Sequence, residues 1–253
     1  MLILITALLV IGIYVLGPLA VHWTYRFAAS CNPSEVSLDA LPEPIAALFL
    51  KRIPELRELG FEVTGCFDCG CLVGETRSYV AYFCSRRTNE FANVTVFVTP
   101  KGIAGYLEFS TRFTNGLVLE TNTNRVLPLT PLNPETRVFR FPEIQDARTL
   151  LRTHRQIIEK YAPELRPLAE PRGEEIARFV RVVENYGPRH RELGYMYLAD
   201  DAQWYRLTWK GAFLMTWRGL FPVSFLRNWM HRHAMNSELH SLETTEVASL
   251  QKA

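Results

Sequence analysis

The sequence predicts an α+β fold with one transmembrane helix at its amino end, an antiparallel sheet of four or more strands flanked by helices, and amphipathic aromatic-basic helices near its carboxyl end. Three observations predict this arrangement. Residues 2–21 are uncharged and almost wholly apolar, strand-like segments are grouped between residues 78 and 121, and aromatic side chains recur at every fourth position from Tyr205 to Trp229. Grouped strands with helices before and after them are typical of α+β domains and not of parallel α/β sheets.

The composition limits the function classes. The chain has 253 residues, which is enough for one well-buried domain with additional segments. Its 28 Lys+Arg and 26 Asp+Glu residues give a net charge of +2. This balance excludes a strongly basic nucleic-acid binder and an acidic disordered chain, so we expect no nucleic-acid partner.

The amino-terminal segment predicts membrane attachment. A helix over residues 2–21 is about 30 Å long, which matches the hydrocarbon core of a bilayer. Trp23, Tyr25 and Arg26 follow it, and such residues settle at the level of the lipid headgroups. A cleaved signal peptide is disfavoured because no basic residue precedes the apolar run and the run is too long. A lipoprotein cleavage site before Cys31 is disfavoured because Arg26 separates it from the apolar run.

The orientation of this helix follows from the few charges near its ends. Arg26, and further on Lys51 and Arg52, lie on the carboxyl side, which favours a cytoplasmic body. An odd number of cysteines, five, without a repeating framework fits a reducing compartment. We therefore expect a single-pass membrane protein with a cytoplasmic soluble domain.

The body of the chain begins with a helix. Apolar residues at three- and four-residue steps predict an amphipathic helix over residues 44–59. Strands are predicted over residues 78–84, 91–99, 104–113 and 117–121, with Asn115-Gly116 forming a two-residue hairpin turn. An edge strand at 137–141 and helices over 143–161 and 173–186 follow. A hairpin is predicted around Asp200-Asp201, between the segments YMYL and QWYRLT.

The carboxyl-terminal region is the most unusual part of the sequence. Residues 202–235 contain five basic and no acidic residues, so this segment alone carries a charge of +5. On a helix the four-residue steps spread its aromatics over one broad face. The residues predicted to lie at the membrane interface are Trp23, Tyr25, Arg26, Trp209, Lys210, Phe213, Trp217, Arg218, Phe221, Phe225 and Trp229.

Three interpretations of this region remain open at the level of sequence. The helices lie in the membrane interface, with Lys and Arg reaching lipid phosphates. Alternatively the aromatics are the core of a helix packed on the sheet, or they line a partner-binding groove. A second spanning helix is disfavoured because Arg218 lies near the middle of a short apolar stretch.

The domain organisation follows from these assignments. Residues 1–27 form the transmembrane helix and its interface, and residues 28–40 form a linker. Residues 41–208 form the α+β domain and residues 209–235 the interfacial helices. Residues 236–253 are expected to be a flexible tail.

Cysteines are the main candidates for chemistry. Cys66, Cys69, Cys71 and Cys84 could supply four thiolates to zinc or an iron–sulfur cluster. A second distant C-x2-C is missing, and Cys71 adjoins the first pair too closely for an ordinary zinc site. We therefore predict no metal and no cofactor, and we interpret the thiols as buried or in turns.

The sequence contains no catalytic signature that defines an enzyme. It has no G-x-S-x-G elbow, P-loop, H-E-x-x-H or dinucleotide-binding fingerprint. The first hypothesis is therefore a membrane-anchored accessory or interaction protein that presents its α+β domain to lipid and to another membrane protein. The alternative is a membrane-tethered enzyme or binding protein that acts on a lipid or lipid-linked ligand.

Overall fold

The computed structural model describes the backbone of residues 2–171 and 173–250, and the side chains of residues 12–171 and 173–244. The helices are α1 (Leu2–Thr24), α2 (Glu43–Glu58), α3 (Ala147–Tyr161), α4 (Glu175–Glu184), α5 (Tyr186–Glu192), α6 (Trp209–Gly219) and α7 (Val223–Leu250), with a 3-10 turn at Leu38–Ala40. The strands are β1 (Arg26–Ala28), β2 (Ser34–Glu35), β3 (Glu62–Val73), β4 (Thr76–Ser85), β5 (Glu90–Thr99), β6 (Gly102–Arg112), β7 (Val118–Asn122), β8 (Thr136–Arg140), β9 (Met196–Leu198) and β10 (Trp204–Leu207).

These strands form one mixed, mostly antiparallel sheet, which confirms the α+β class. The spatial order is β8-β7-β6-β5-β4-β3-β1-β10-β9, and β2 also pairs with β3. Strands β3 to β7 are a meander of consecutive antiparallel neighbours, whereas β7 and β8 run parallel. The hairpin predicted around Asp200-Asp201 joins β9 to β10.

In the first third of the chain the structure differs from the predicted boundaries. Residues 28–40, expected to be a linker, include the end of β1 and all of β2, so this segment is part of the sheet. Strand β3 contains the cysteine-rich segment and was missed, because its glycines and irregular pairing break the two-residue alternation of a strand.

The two faces of the sheet differ in what covers them. On the first face, which we call the apolar face, residues such as Val94, Phe109 and Leu119 pack against α2 and α3. On the opposite face, Val80 and Tyr82 of β4 and Phe91 of β5 pack against Ile176 and Phe179 of α4, but only over part of the sheet.

Helix α7 is longer than the sequence analysis expected. It continues to Leu250, so residues 236–250 are helical instead of a flexible tail, and residues 251–253 lie outside the described part. Leu242 is buried in the main core, and Glu238 accepts hydrogen bonds from Lys160 and Tyr161 of α3. These contacts hold the second half of α7 against the sheet domain.

Helix α1 covers the segment predicted to span the membrane. Among the residues that the structure describes, no helix combines the length and the apolar character needed to cross a bilayer. The side chains of residues 1–11, which make up about half of the apolar run at 2–21, lie outside the described residues. The remaining residues of α1 pack against α6 and β10.

Candidate functional site

Helix α6 has a buried face of small residues and an exposed face of aromatics. The Thr208 side chain caps its first turn by accepting a hydrogen bond from the backbone N–H of Gly211 at 3.1 Å. Gly211 is buried so closely that an added Cβ would lie 2.1 Å from the carbonyl oxygen of Tyr195. Trp209 and Trp217 are at least half exposed, so the interpretation that the aromatics of α6 form a core is wrong.

Helices α1 and α6 pack side by side in opposite directions. The rings of Tyr14 and Trp217 lie 5.5 Å apart, and the ring of His22 stacks on Trp209 at 4.3 Å. Between these contacts, an added Cβ on Gly17 would lie 2.8 Å from the side chain of Thr216. Helix α6 therefore lies alongside the carboxyl-terminal half of α1.

Exposed apolar side chains continue from α1 through α6 into α7. Ile13, Val15, Leu16 and Leu19 of α1 are exposed, as are Leu226 and Met230 of α7. We call the aromatic part of this region the aromatic surface; its members are 50% to 73% exposed and are Trp23, Trp209, Phe213, Trp217, Phe221, Phe225 and Trp229. A continuous apolar area of this kind is rare on a protein surface that faces only water.

The other predicted interface residues turn toward the protein. Arg26 lies over the ring of Trp204 at 4.6 Å, and Tyr25 packs with Val21 against the core under α6. Lys210 donates to the carbonyl oxygen of Leu193 at 2.9 Å. These cations are thus held by the chain itself, unlike the expectation that they extend toward lipid phosphates.

Arg218 is also held by the chain itself, and together with Arg227 it donates hydrogen bonds to the loop before β8. The Arg218 guanidinium donates to the carbonyl oxygen of Leu129 at 3.3 Å, and that of Arg227 donates to Pro128 at 2.8 Å. Each buried donor is thereby paired with a backbone acceptor, which reduces the cost of placing a charge beside an apolar surface.

The first half of α7 has two opposite faces with different chemistry. Phe225 and Trp229, four residues apart, belong to the aromatic surface. Arg227 and His231 are offset from them by two residues, or about 200° around the helix, and are partly buried. They point toward the sheet, and among the charged groups closest to His231 is Arg140 of β8.

A row of polar side chains crosses four strands on the face of the sheet opposite the apolar face. Asn93, Glu108, Asn122 and Arg140 are successive cross-strand partners from β5 to β8. The amides of Asn93 and Asn122 each donate to Glu108, one to each carboxylate oxygen and both at 2.9 Å. The group that we call the polar recess consists of Asn93, Tyr106, Glu108, Glu120, Asn122, Arg140 and His231.

Two carboxyl groups of the polar recess hold protons unusually tightly. Burial, and then the neighbouring Glu108, raise the pKa of Glu120 to about 8. Burial also raises the pKa of Glu108, against the opposing effects of its two amide donors and Arg140. Both side chains keep some exposed surface, so they are recessed and not sealed. Glu120 therefore keeps its proton near neutral pH, because two close carboxylates in a poorly solvated site do not readily both ionise.

Arg140 is the charged centre of the polar recess. Its side chain is 9% exposed, and its Nε–H has no hydrogen-bond acceptor among the described residues. The same holds for Nε2 of His231, whose pKa is lowered by burial and by Arg140 and Arg227. Such orphaned polar atoms are uncommon in proteins and require an explanation.

The cysteines named by the sequence analysis are spread over both sides of β3. Cys66 faces the apolar side, where it lines an open cavity of about 570 Å³ beneath α2. Cys69 and Cys84 lie on the opposite face together with Cys31, and Cys71 is exposed. Within the described residues, no three His, Cys, Asp or Glu side chains form a group that could hold a metal ion.

Burial also makes two of these thiols, Cys66 and Cys84, poor ligands and nucleophiles. It raises the pKa of both Cys66 and Cys84, which favours the neutral thiol over the thiolate. The structure thus assembles the predicted cysteines into no chemical centre in the part of the chain that it describes.

The polar recess was missed by the sequence analysis. A signal for it existed, because polar residues occupy alternate positions at Asn93 and Thr95, at Glu108 and Ser110, and at Glu120 and Asn122. Such alternation is typical of a solvent-exposed sheet face. Only the tertiary position of α7 distinguishes a recess from that ordinary arrangement.

Comparison of the chain with protein-family models, with curated proteins and with solved structures finds no match.

Proposed function

We propose that this protein is a membrane-anchored accessory or interaction protein, with its α+β domain on the cytoplasmic side. Two attachments hold the domain at the bilayer in this proposal. One is the apolar segment 2–21, and the other is the aromatic surface on α6 and the first half of α7. Two attachments restrict the height and tilt of the domain, so its remaining surface is presented to a membrane-protein partner in a defined orientation.

The observation that supports this proposal is the outward direction of the aromatics on α6. Trp217 is 56% exposed although Gly211 and Ala212 on the same helix are buried. A helix stabilised only by the domain would bury its tryptophans and expose its small residues. The opposite arrangement favours an apolar surface outside the protein, and its continuity with α1 favours lipid as that surface.

The antiparallel packing of α1 and α6 sharpens the proposal. If α1 crosses the bilayer, α6 enters the same leaflet beside it, with Trp209 near the headgroups and Trp217 deeper. Eight residues of helix correspond to a difference in depth of about 12 Å. This differs from the expectation that α6 lies in the plane of the interface.

Tryptophan quenching by brominated lipids tests the contact and its depth. Full-length variants that retain only Trp209, Trp217 or Trp204, with the other tryptophans replaced by Phe, are reconstituted in vesicles of phosphatidylcholine and phosphatidylglycerol. We expect deep bromines to quench Trp217 most and shallow bromines to quench Trp209 most. Trp204 lies on β10 and is the control, with the least quenching.

Two other quenching results would each contradict part of the proposal. Equal depths for Trp209 and Trp217 would place α1 and α6 together in the interface plane, and the spanning helix would be wrong. No quenching of either residue would exclude lipid contact of the aromatic surface altogether.

A separate experiment tests the accessory role. We expect the tagged full-length protein, extracted in a mild detergent, to co-purify with one membrane protein at fixed stoichiometry. The Trp209→Ala, Trp217→Ala and Trp229→Ala variants weaken that association because they disturb the orientation of the domain. Leu50→Ala is the matched control, since Leu50 is 57% exposed but lies on α2, away from α6.

The polar recess supports a second candidate function. A carboxyl group whose pKa is near 8, beside a buried arginine, is typical of ligand-binding and acid–base sites. Because its Arg140 lies near His231 of α7, the helix that carries Phe225 and Trp229, the recess favours a membrane-tethered enzyme or binding protein for a lipid or lipid-linked ligand. Native mass spectrometry of the extracted protein separates the two candidates, since a bound lipid favours the second and a stoichiometric protein partner the first.

A further inference from the structure

We propose that the polar recess binds a phosphoryl group, supplied by a lipid headgroup or by a soluble phosphate ester. The inference extends the second candidate function by naming its ligand chemistry and the residues that recognise it. It does not depend on lipid contact by the aromatic surface, so the two can fail separately.

The polar recess has ring and guanidinium nitrogens that lack hydrogen-bond partners in the part of the chain that the structure describes. Both oxygens of Glu108 are already bound by the amides of Asn93 and Asn122. The buried Nε–H of Arg140 and the Nε2 of His231 have no hydrogen-bond partner in the described residues. A ligand that enters the recess is therefore selected for the acceptors that it brings.

The positive charges around the polar recess are only partly compensated. Arg140, Arg178 and Arg227 are the cations nearest to the recess and to His231. Arg178 is paired with Glu170 at 3.3 Å, and Arg227 with backbone carbonyls. The carboxyl pair, holding one proton, offsets about one of the positive charges, so an anion finds a cation that is not fully compensated.

The polar recess lies close to a helix that contributes to the aromatic surface. Arg227 and His231 lie about 200° around α7 from Phe225 and Trp229, and the charge of Arg140 is close enough to His231 to lower the pKa of that histidine. The polar recess therefore lies near the helix that carries part of the aromatic surface. Phosphoryl groups are the abundant anions at a bilayer surface, and guanidinium groups bind them through paired hydrogen bonds.

The carboxyl pair adds a condition on binding. An ionised Glu120 repels an anion, whereas a protonated Glu120 donates to one. Glu108, Arg140 and Arg178 face Glu120, and His231 and Arg227 approach from α7. We therefore expect affinity for a phosphoryl group to be higher at pH 6.5 than at pH 9.

The test uses the full-length protein in dodecyl maltoside, a detergent without phosphate, and isothermal titration with glycerol 3-phosphate. A parallel titration uses phosphatidic acid diluted into the same micelles. We expect Arg140→Gln to weaken binding about tenfold or more, as loss of a charged hydrogen-bond donor does. Arg137→Gln is the matched control, because Arg137 is exposed on the same strand and points to the opposite face.

A second variant protects the test against misfolding. His231→Phe removes an orphaned nitrogen from a helix and not from the sheet, and it should also weaken binding while circular dichroism remains unchanged. Binding of glycerol 3-phosphate assigns the recess to soluble esters as well as lipids, and binding of phosphatidic acid only assigns it to headgroups.

Two results overturn the proposal. One is the absence of binding of either probe by the wild-type protein. The other is binding that Arg140→Gln and His231→Phe leave unchanged, which would show an adventitious ion only.

Discussion

His154 and Arg140 are buried polar side chains on opposite faces of the sheet, and they differ in whether their nitrogens have hydrogen-bond partners. On the apolar face, His154 of α3 is fully buried, yet both of its ring nitrogens are paired, with Thr111 at 3.0 Å and Thr121 at 2.9 Å. On the other face, Arg140 is almost as deeply buried, and its Nε–H has no partner among the described residues.

The difference distinguishes a structural polar group from a candidate functional one. Burial lowers the pKa of His154 to about 4, so the ring is neutral near pH 7 and joins two strands to a helix. Because both ring nitrogens are paired, His154 is a satisfied core histidine. Arg140 retains both a charge and unused capacity, which is the condition for binding a ligand.

The largest expected effect is on the apolar face. Phe109 is completely buried there, and Phe109→Ala should lower the free energy of unfolding by about 3 to 5 kcal/mol, since it removes contacts and leaves a cavity. Phe97 on β5 points to the opposite face and is only partly buried. Phe97→Ala should cost about 1 kcal/mol or less.

Urea unfolding of both variants in a mild detergent, followed by far-UV circular dichroism, measures this contrast. Equal losses for the two substitutions would mean that the second face is packed as tightly as the first, and the description of a recess there would be wrong.

The sequence predicted the apolar face well because local patterns determine it. The alternation in β5 to β7 and the three- and four-residue spacing in α2 and α3 each identify the buried side without knowledge of the fold, whereas β4 is apolar on both faces. Asn115-Gly116 identified the position of the β6–β7 connection for the same reason, since Gly116 has a φ of 90° that favours glycine. The predicted two-residue turn was wrong, because the hydrogen bond from Phe113 N–H to the carbonyl oxygen of Leu117 at 2.8 Å closes a loop of three residues.

The polar recess on the second face could not be predicted from the sequence, because it depends on contacts between distant segments that no local pattern encodes. Glu108 and Asn122 resemble exposed strand residues until α7, more than a hundred positions later, is known to bring His231 near Arg140. The exposed face of α6 was also undecided by sequence, because a core helix and a lipid-facing helix both require aromatics to leave water.

The next prediction compares His154 with Arg140 directly. His154→Leu leaves the hydroxyls of Thr111 and Thr121 without their partner, so it should cost about 1 to 3 kcal/mol of unfolding free energy. Arg140→Met removes a buried charge, and the two carboxyls of the recess then take up protons. Its effect should lie within about 1 kcal/mol of zero or be stabilising.

The same urea titrations at pH 7 measure both variants. If Arg140→Met destabilises the protein as much as His154→Leu does, Arg140 is a structural residue like His154, and the contrast between the faces no longer supports a binding site.

The last prediction is a pH dependence that belongs to the second face. Glu120 keeps its proton in the folded protein up to about pH 8, whereas its ordinary pKa is 4.5. Between these values the unfolded chain binds fewer protons than the folded one, so the free energy of unfolding falls as the pH rises and levels off above about pH 8. Glu120→Gln mimics the protonated carboxyl and should reduce this fall, whereas Glu159→Gln on the exposed side of α3 should not. Unfolding midpoints from pH 5 to pH 9 measure the slope. Glu108, whose pKa is raised, contributes to the fall that remains in Glu120→Gln, whereas the lowered pKa of His231 opposes that fall. Identical slopes in the wild type and in both variants would show that Glu120 ionises freely, and the polar recess would then be an ordinary solvated sheet face.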